Sequence, residues 1–244
     1  MVEDKSLFHY GWLYHKLFDK QNLESRKLIV DFIPEGSKVL DLACGTGELC
    51  FALRKLKNCK VSGVDLSSRM IDFAKKSNPY DDVKFFHADA TNLAIFRDNS
   101  FDYSTILLLL HELTKEKQVE VLNEALRVSK RVITIDSNVP LPKNFQGVGI
   151  RLVEATFGHD HNGNFKSFLK KYGITGILKN LKKPFSIEIN SVFKNNCREF
   201  LMISNNFSHI FGCVLSSFLW SSNNISDRKS VSSSSDSKKG STRM

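Results

Sequence analysis

The sequence lacks several features that would assign it to a specialised class of protein. No run reaches the roughly 18 apolar residues of a membrane-spanning helix, and the N-terminus has no basic segment followed by an apolar one. The five cysteines are odd in number and contain no C-x-x-C pair, which favours small buried hydrophobic residues over a disulfide framework or a zinc site. No internal repeat is present. These absences predict a cytoplasmic protein that carries no metal.

The net charge of +9 is unevenly distributed along the 244 residues. Basic and acidic residues balance up to residue 140, so the whole excess of positive charge lies after it. The length favours one large domain with appendages. We predict an N-terminal lid helix over 1–30, a main domain over 31–204 with a cap insertion over 141–184, and a tail over 205–244. The tail is apolar at first and then Ser-rich and disordered.

Short apolar runs alternate with amphipathic helical patterns from residue 38 onward. Five strands are predicted at "KVLDL", "KVSGVDL", "VKFFHA", "FDYSTILLLL" and "KRVITID". After a turn-rich and then helical stretch, "FSIEINSVF" and "REFLMIS" are typical of an antiparallel hairpin. The pattern predicts an α/β fold with a doubly wound, mostly parallel, seven-stranded Rossmann-like sheet that ends in this hairpin. Ligands of such sheets bind at the carboxyl ends of the strands.

The stretch "VLDLACGTGELC", residues 39–50, places a glycine-rich bend after the first strand. Gly45 and Gly47 allow a sharp turn and a close approach of a ligand to the backbone. A dinucleotide site of the G-x-G-x-x-G type would need glycine or alanine where Cys50 stands. Asp41, ahead of the bend, repels phosphates and favours a cation. The bend therefore argues against a nicotinamide dehydrogenase.

Three acidic residues follow three successive predicted strands. Besides Asp41, Asp65 ends the second strand, where a carboxylate can accept both hydroxyls of a ribose. Asp89 follows the third strand, where it can accept from an amino group such as that of adenine. A single aspartate at such a place is as often a helix cap, but the set in register with the glycine bend predicts a site for a cationic nucleoside.

These segments resemble the class I S-adenosylmethionine-dependent methyltransferases, and among them the small-molecule enzymes related to those of quinone biosynthesis. The likeness runs from about residue 10 to about residue 204 and rests on "VLDLACGTG", "GVDLSSRMIDFAKK", "FFHADATNL" and "FDYSTILLLLHEL". It implies S-adenosyl-L-methionine as the cofactor and transfer of its methyl group to a small-molecule acceptor by in-line displacement. One departure is Ala43, where many members carry the first glycine of the loop.

The resemblance also implies which residues hold the cofactor. They are Tyr14, Asp41, Ala43, Gly45, Gly47, Asp65, Leu66, Met70, Asp89, Ala90 and Leu107. Asp41 would hold the methionine portion, Asp65 the ribose and Asp89 the adenine edge. The aromatic residues near the N-terminus, Tyr14 among them, either close over the cofactor as a lid or pack as the apolar face of a helix.

Histidines supply the candidates for acting on the acceptor. A methyl transfer needs a base only when the acceptor must lose a proton. His111 follows the fourth predicted strand and is either that base or a histidine held by local backbone. Tyr14, His159 and His161 are weaker candidates. The two later histidines belong to "GHDHNGNF", which forms part of the acceptor pocket or a solvated loop; their H-x-H spacing hints at a metal, but no further cluster of ligands accompanies it.

The segment from 164 to 198 is strongly basic and has Glu188 as its single acid. Its basic residues are Lys166, Lys170, Lys171, Lys179, Lys182, Lys183, Lys194 and Arg198. They indicate a solvated helix face, a site for an anionic or amphipathic acceptor or a membrane surface, or a nucleic-acid surface. Neighbouring aromatics at helical spacing are more often core than base-stacking platforms, so nucleic acid ranks last. An RNA methyltransferase and a non-catalytic cofactor-binding module are the alternatives, and the oligomeric state is open.

Overall fold

The computed structural model describes residues 22–155, 159–170, 173–181, 184–193 and 198–205. Tyr14 and the other aromatics of the predicted lid lie outside the described residues, as does the tail from residue 206. The chain divides into two units, Met1–Phe207 and Ser208–Met244, and every described residue belongs to the first. Within the described ranges, no helix is both long enough and apolar enough to cross a membrane.

Seven strands form one sheet in the described part of the chain. They are β1 (Lys38–Leu42), β2 (Lys60–Asp65), β3 (Lys84–His87), β4 (Phe101–Leu107), β5 (Ser129–Ser137), β6 (Ser186–Phe193) and β7 (Arg198–Ser204). Their order is β3-β2-β1-β4-β5-β7-β6. The first five strands pair in parallel, whereas β7 runs antiparallel to both β5 and β6. The predicted fold, a doubly wound and mostly parallel sheet with a terminal hairpin, is confirmed.

Seven helices flank this sheet in the described residues. They are α1 (Leu23–Phe32), α2 (Glu48–Lys57), α3 (Ser68–Ser77), α4 (Lys115–Val128), α5 (Phe145–Ala155), α6 (His159–Lys170) and α7 (Gly173–Leu178). A short 3-10 turn, Leu110–Glu112, follows β4. The Ser67 hydroxyl accepts a hydrogen bond from the backbone N–H of Met70 at 3.4 Å, so Ser67 is the N-cap of α3.

Three local predictions were wrong. The fourth strand does not run through "LLLL" but ends at Leu107, because Leu108 has a left-handed backbone (φ 58°) that breaks the extended conformation. The turn-rich stretch after residue 140 gives way to helix α5 at Phe145, and "GHDHNGNF" is not a loop because α6 begins at His159. Asparagine and glycine have low helix propensity, and burial of Phe165 and Phe168 outweighs it in α6.

The two faces of the sheet are covered by separate sets of helices. Leu40 and Leu42 of β1 pack in a cluster that includes residues of α4 and α7. Val39, which points the opposite way, packs with residues of α1, α2 and α3. With both faces covered, the carboxyl ends of β1 to β5 lie at a common edge of the sheet, where the chain is free to form loops.

Candidate functional site

The loop after β1 is held in an unusual backbone conformation. Ala43, Gly45 and Gly47 all have a left-handed backbone, with φ of 56°, 52° and 86°. A Cβ at Gly47 would lie 2.8 Å from the ring of Phe85, so this position requires glycine. Ala43 adopts the same conformation with a side chain, which costs about 1–2 kcal/mol. The loop is therefore specified by its glycines and strained at Ala43.

Asp41 is a buried carboxylate at the carboxyl end of β1. Its side chain accepts hydrogen bonds from the Thr105 hydroxyl at 2.7 Å and, more weakly, from the Cys50 thiol at 3.5 Å. Burial raises the pKa of Asp41 to about 7, despite these two hydrogen bonds, because only 3% of the residue is exposed to water. A nearby cation would favour the ionised form of this acid.

Asp65, at the end of β2, ties the glycine loop to the next helix. One carboxylate oxygen accepts from the backbone N–H of Gly45 at 2.9 Å, and the other accepts from that of Ser67 at 2.8 Å. A carboxylate at the end of this strand is also the group that can accept from the hydroxyls of a ribose. The predicted ribose residue is thus also the residue that fixes the shape of the loop.

Two cavities open at this edge of the sheet and share Ala43. Asp41, Gly45 and Leu107 border the first, together with Arg26 of α1. The second is lined by residues that follow β2 and β3, including the sequence-predicted Asp65, Leu66, Asp89 and Ala90. Gly47 and Met70 border neither of these two cavities. Gly47 shapes the loop, and Met70 is a buried residue of α3 itself. The remaining predicted cofactor residues of the described chain therefore line one continuous edge.

Asp89 and Leu66 give the second cavity a polar end and an apolar wall. An oxygen of Asp89 accepts from the backbone N–H and the hydroxyl of Thr91 at 2.9 and 2.8 Å, which orients the carboxylate. The side chain of Leu66 is unusually open, since 64% of the residue is exposed. This combination suits a flat ring with an amino group at its edge.

His111 lies between two residues that border the cavities and is held by an acid rather than by local backbone. Its ring Nδ1 donates to Asp136 Oδ1 at 2.6 Å, and its backbone N–H donates to the other Asp136 oxygen at 3.2 Å. Asp136 ends β5 and is fully buried. The two residues are Leu109 and Leu113, which lie on either side of His111 in the chain and both border the second cavity. The interpretation of His111 as a residue satisfied by local backbone was wrong.

Two residues from the cap helices complete the surroundings of His111. Its Nε2 lies 3.5 Å from Glu154 Oε2 of α5, and the same oxygen contacts His161 Nε2 of α6 at 2.5 Å. Burial alone would lower the pKa of His111, but the charge of Asp136 and the bonds to Asp136 and Glu154 raise it well above its usual value. Burial would raise the pKa of Glu154, yet the two histidines lower it to about 2.

A second buried acid lies beside Asp136 on the neighbouring strand. Glu199 of β7 is the register partner of Asp136, and burial, helped by the charge of Asp136, raises the pKa of Glu199 to about 7. Burial also raises the pKa of Glu112, next to His111, to about 7. The part of the edge around His111, which we call the acceptor side because the sequence predicts the acceptor there, thus combines two histidines with several acids in a largely buried volume.

Sequence reasoning missed Asp136, Glu154 and Glu199. Asp136 could have been found, because it stands at the carboxyl end of "KRVITID" as Asp41 and Asp65 stand at the ends of their strands. Glu154 has no comparable signal, since it comes together with His161 only through the packing of α5 against α6. His159, the other histidine of the H-x-H pair, is exposed and lies outside this group.

Comparisons with known proteins bear on the same segment. Residues 39–131 match the protein family described as a methyltransferase domain. A 149-residue stretch is 31% identical to the demethylmenaquinone methyltransferase of Staphylococcus aureus (strain JH9); it covers 58% of this chain and 61% of that enzyme. The chain therefore spans less than two thirds of that relative's length.

Solved structures share the fold at low sequence identity. An S-adenosylmethionine-dependent methyltransferase from Aquifex aeolicus aligns with a TM-score of 0.57 at 18% identity, over 80% of this chain and 98% of its own. The magnesium protoporphyrin IX methyltransferase of Synechocystis PCC 6803, solved with bound S-adenosylhomocysteine, aligns with a TM-score of 0.53 at 16% identity, over 77% and 84% of the two chains. Residues 39–131 thus match a methyltransferase domain, and the chain shares the fold of these two solved methyltransferases.

The limits of the matched segment separate the two parts of the site. Asp41, Asp65, Asp89 and His111 lie inside the matched segment, whereas the residues around His111 on β5, α5 and α6 lie beyond it. The predicted resemblance to methyltransferases is confirmed for the matched segment, and its role in cofactor binding is a proposal. The acceptor-side half has to be interpreted from its own geometry.

Proposed function

We propose that the protein is an enzyme that transfers the methyl group of S-adenosyl-L-methionine to a small-molecule acceptor. The observation that carries the proposal is the pair of cavities that meet at Ala43, each with a carboxylate from a strand end. The cofactor is a cationic nucleoside, so its sulfonium and methionine portion would lie toward Asp41. Its nucleoside would occupy the second cavity.

The residues of the second cavity offer the groups that a nucleoside needs. The carboxylate of Asp65 would accept from the ribose hydroxyls, and a carboxylate oxygen of Asp89 would accept from the adenine amino group. The exposed side chain of Leu66 would cover one face of the base. Bound cofactor supplies an activated methyl group, and the protein's task is to hold an acceptor in line with it and to exclude water.

Helix α5 favours an amphipathic acceptor. Phe145, Val148 and Leu152 are exposed along one face, Phe145 to 83% and Leu152 to 65%. Glu154 of the same helix reaches the side chain of His111. An apolar body could lie against the outer face while a polar group enters beside His111. The name of the S. aureus relative, a demethylmenaquinone methyltransferase, supports an acceptor of this amphipathic kind.

Exposed lysines on the cap suit an anionic group on the same acceptor. Lys166 and Lys170 of α6 are exposed, and so is Lys179 just beyond α7. Their ammonium groups can remain in water while the apolar stems cover the cap surface. The aromatics of α6, Phe165 and Phe168, are buried in the core and therefore do not form a platform on which bases could stack.

Calorimetry with three ligands tests the cofactor. We expect S-adenosylmethionine and S-adenosylhomocysteine to bind with one site per chain and NAD to give no heat. Transfer of tritium-labelled methyl groups from S-adenosylmethionine to a molecule in an extract of small metabolites and lipids would then reveal the acceptor. Binding of NAD alone, or binding of cofactor with no transfer to any extract, would contradict the proposed enzyme.

RNA is the competing acceptor and has a distinct signature. A surface that makes six or more phosphate contacts loses about 10³-fold or more in affinity between 50 and 200 mM salt. We expect the parent protein to bind RNA only weakly at physiological salt. Lys170→Gln should raise the Michaelis constant for the small-molecule acceptor and leave the affinity for the cofactor unchanged. Tight, steeply salt-dependent RNA binding with methyl transfer to RNA would replace the small-molecule proposal.

A further inference from the structure

Three side chains beside the proposed acceptor position have the composition of a metal site. One nitrogen each of His111 and His161 and one oxygen of Glu154 all lie within 4.8 Å of one another. They come from three different elements: the turn after β4, the end of α5 and the first turn of α6. Such convergence on one point is not produced by any local sequence pattern, and it is independent of the residues that line the two cofactor cavities.

Two of the three distances between these groups are close to those around one small ion. Ligands of a tetrahedral Zn²⁺ at about 2.0–2.1 Å lie about 3.3 Å apart. The His111 Nε2 to Glu154 Oε2 distance is 3.5 Å, close to that value. The His161 Nε2 to Glu154 Oε2 contact is 2.5 Å, a hydrogen bond that a metal would replace by moving the two groups apart by less than 1 Å.

His111 is also oriented as metal-binding histidines are. Its Nδ1 donates to Asp136, so Nε2 is the nitrogen that faces Glu154, and a metal bound there would displace the Nε2 proton. Asp136 is itself held by the backbone N–H of Ser137 at 2.6 Å. A carboxylate that fixes the far nitrogen of a ligating histidine is a usual outer support of zinc sites.

We propose that His111, Glu154 and His161 bind a divalent first-row transition metal. Two imidazoles and one carboxylate suit Zn²⁺, Co²⁺ or Fe²⁺, whereas Mg²⁺ and Ca²⁺ prefer sites made of oxygen alone. Three protein ligands leave at least one position of the ion for another molecule. The partly exposed side chains of Glu154 and His161 open this position to solvent.

The position of the metal gives it a role that rests on the proposed methyl transfer. An acceptor hydroxyl that takes the open position would lose its proton to water and stay bound through its oxygen, next to the methyl donor. The metal ion would stabilise this oxygen anion as a Lewis acid. Metal binding itself requires neither cofactor nor acceptor, so it can be measured separately.

The test uses the full-length chain after treatment with a chelator. Calorimetric titration with Zn²⁺ is expected to give one site per chain, and Mg²⁺ is expected to give none. Co²⁺ should produce visible d–d absorption without the near-ultraviolet band of a thiolate, because Cys44, Cys50 and Cys59 are not among the ligands. We expect His161→Ala and Glu154→Gln each to weaken Zn²⁺ binding about tenfold or more.

His159→Ala is the matched control, since it removes an exposed histidine two residues away on the same helix. It should bind Zn²⁺ as the parent does. Unchanged melting temperatures of the two ligand variants would show that the loss is local, and the Co²⁺ spectrum of Glu154→Gln would report the lost ligand even if His161→Ala unfolds. The proposal is overturned by absence of Zn²⁺ binding, by binding that survives both ligand variants, or by a thiolate band with Co²⁺. Failure of cofactor binding would leave these measurements unaffected.

Discussion

The cofactor side and the acceptor side of the sheet edge are built in different ways. The cofactor side consists of short loops after β1, β2 and β3, and much of it is backbone placed by glycines and by Asp65. The acceptor side gathers buried side chains from β5, α5, α6 and β7 around His111. A site made mostly of loop backbone tolerates substitution of its exposed side chains. A site made of converging side chains depends on the position of every strand or helix that supplies a side chain.

Removing His111 should give the largest effect and act on one side only. We expect His111→Ala to lower turnover by about a hundredfold or more, because the group that receives or positions the acceptor is lost. The affinity for S-adenosylmethionine should stay within about twofold of the parent. Single-turnover kinetics and calorimetry measure the two quantities, and His159→Ala is the control. Equal losses in turnover and cofactor affinity would erase the distinction between the two sides.

Asp65→Ala is the converse change. Loss of charge-assisted hydrogen bonds to the ribose should cost about 1.5–3 kcal/mol, which is about 10- to 150-fold in the dissociation constant of S-adenosylmethionine. The turnover number at saturating cofactor should fall far less. Asp72→Ala, an exposed aspartate of α3, is the control. An unchanged cofactor affinity in Asp65→Ala would remove the ribose assignment.

The raised pKa of Asp41 sharpens the comparison through pH. Asp41 has a pKa of about 7, so it is mostly protonated at pH 6 and mostly ionised at pH 8. The ratio of affinities for the sulfonium cofactor and its neutral thioether product should therefore rise with pH, by up to about tenfold over this range. Asp41→Asn should make the ratio independent of pH. A ratio that does not change with pH in the parent would show that Asp41 does not face the sulfur.

Ala43→Gly should give the smallest effect and an increase in stability. Glycine adopts the left-handed backbone of this position without strain, although it also adds freedom to the unfolded chain, so we expect a gain of about 1 kcal/mol. This corresponds to a rise of about 2–4 °C in melting temperature for a domain of this size. Ala52→Gly within α2 should change stability by about the same amount in the opposite direction. A loss of stability in Ala43→Gly would show that the loop needs the methyl group.

Sequence reasoning was accurate where short segments decide the structure. The order of the strands along the chain, the glycine bend and the acids near the ends of β1, β2 and β3 could be assigned because each is specified by neighbouring residues. Glu154 and Glu199 could not, because their partners are 43 and 63 positions away in His111 and Asp136 and only packing or strand pairing brings them together. Helix α5 was missed for a related reason: its exposed apolar residues give no indication of a buried face.

The strand order also determines the order in which the two sides of the sheet edge form while the chain is synthesised. Strand β7 is made last, yet it occupies the place between β5 and β6 and sets Glu199 opposite Asp136. A nascent chain that ends before β7 exposes the edge of β5 and leaves the Asp136 support of His111 without its covering strand. The loops that border the two cofactor cavities are already complete at that stage. The growing polypeptide thus acquires the surface proposed for the methyl donor well before the pocket proposed for the methyl recipient is enclosed.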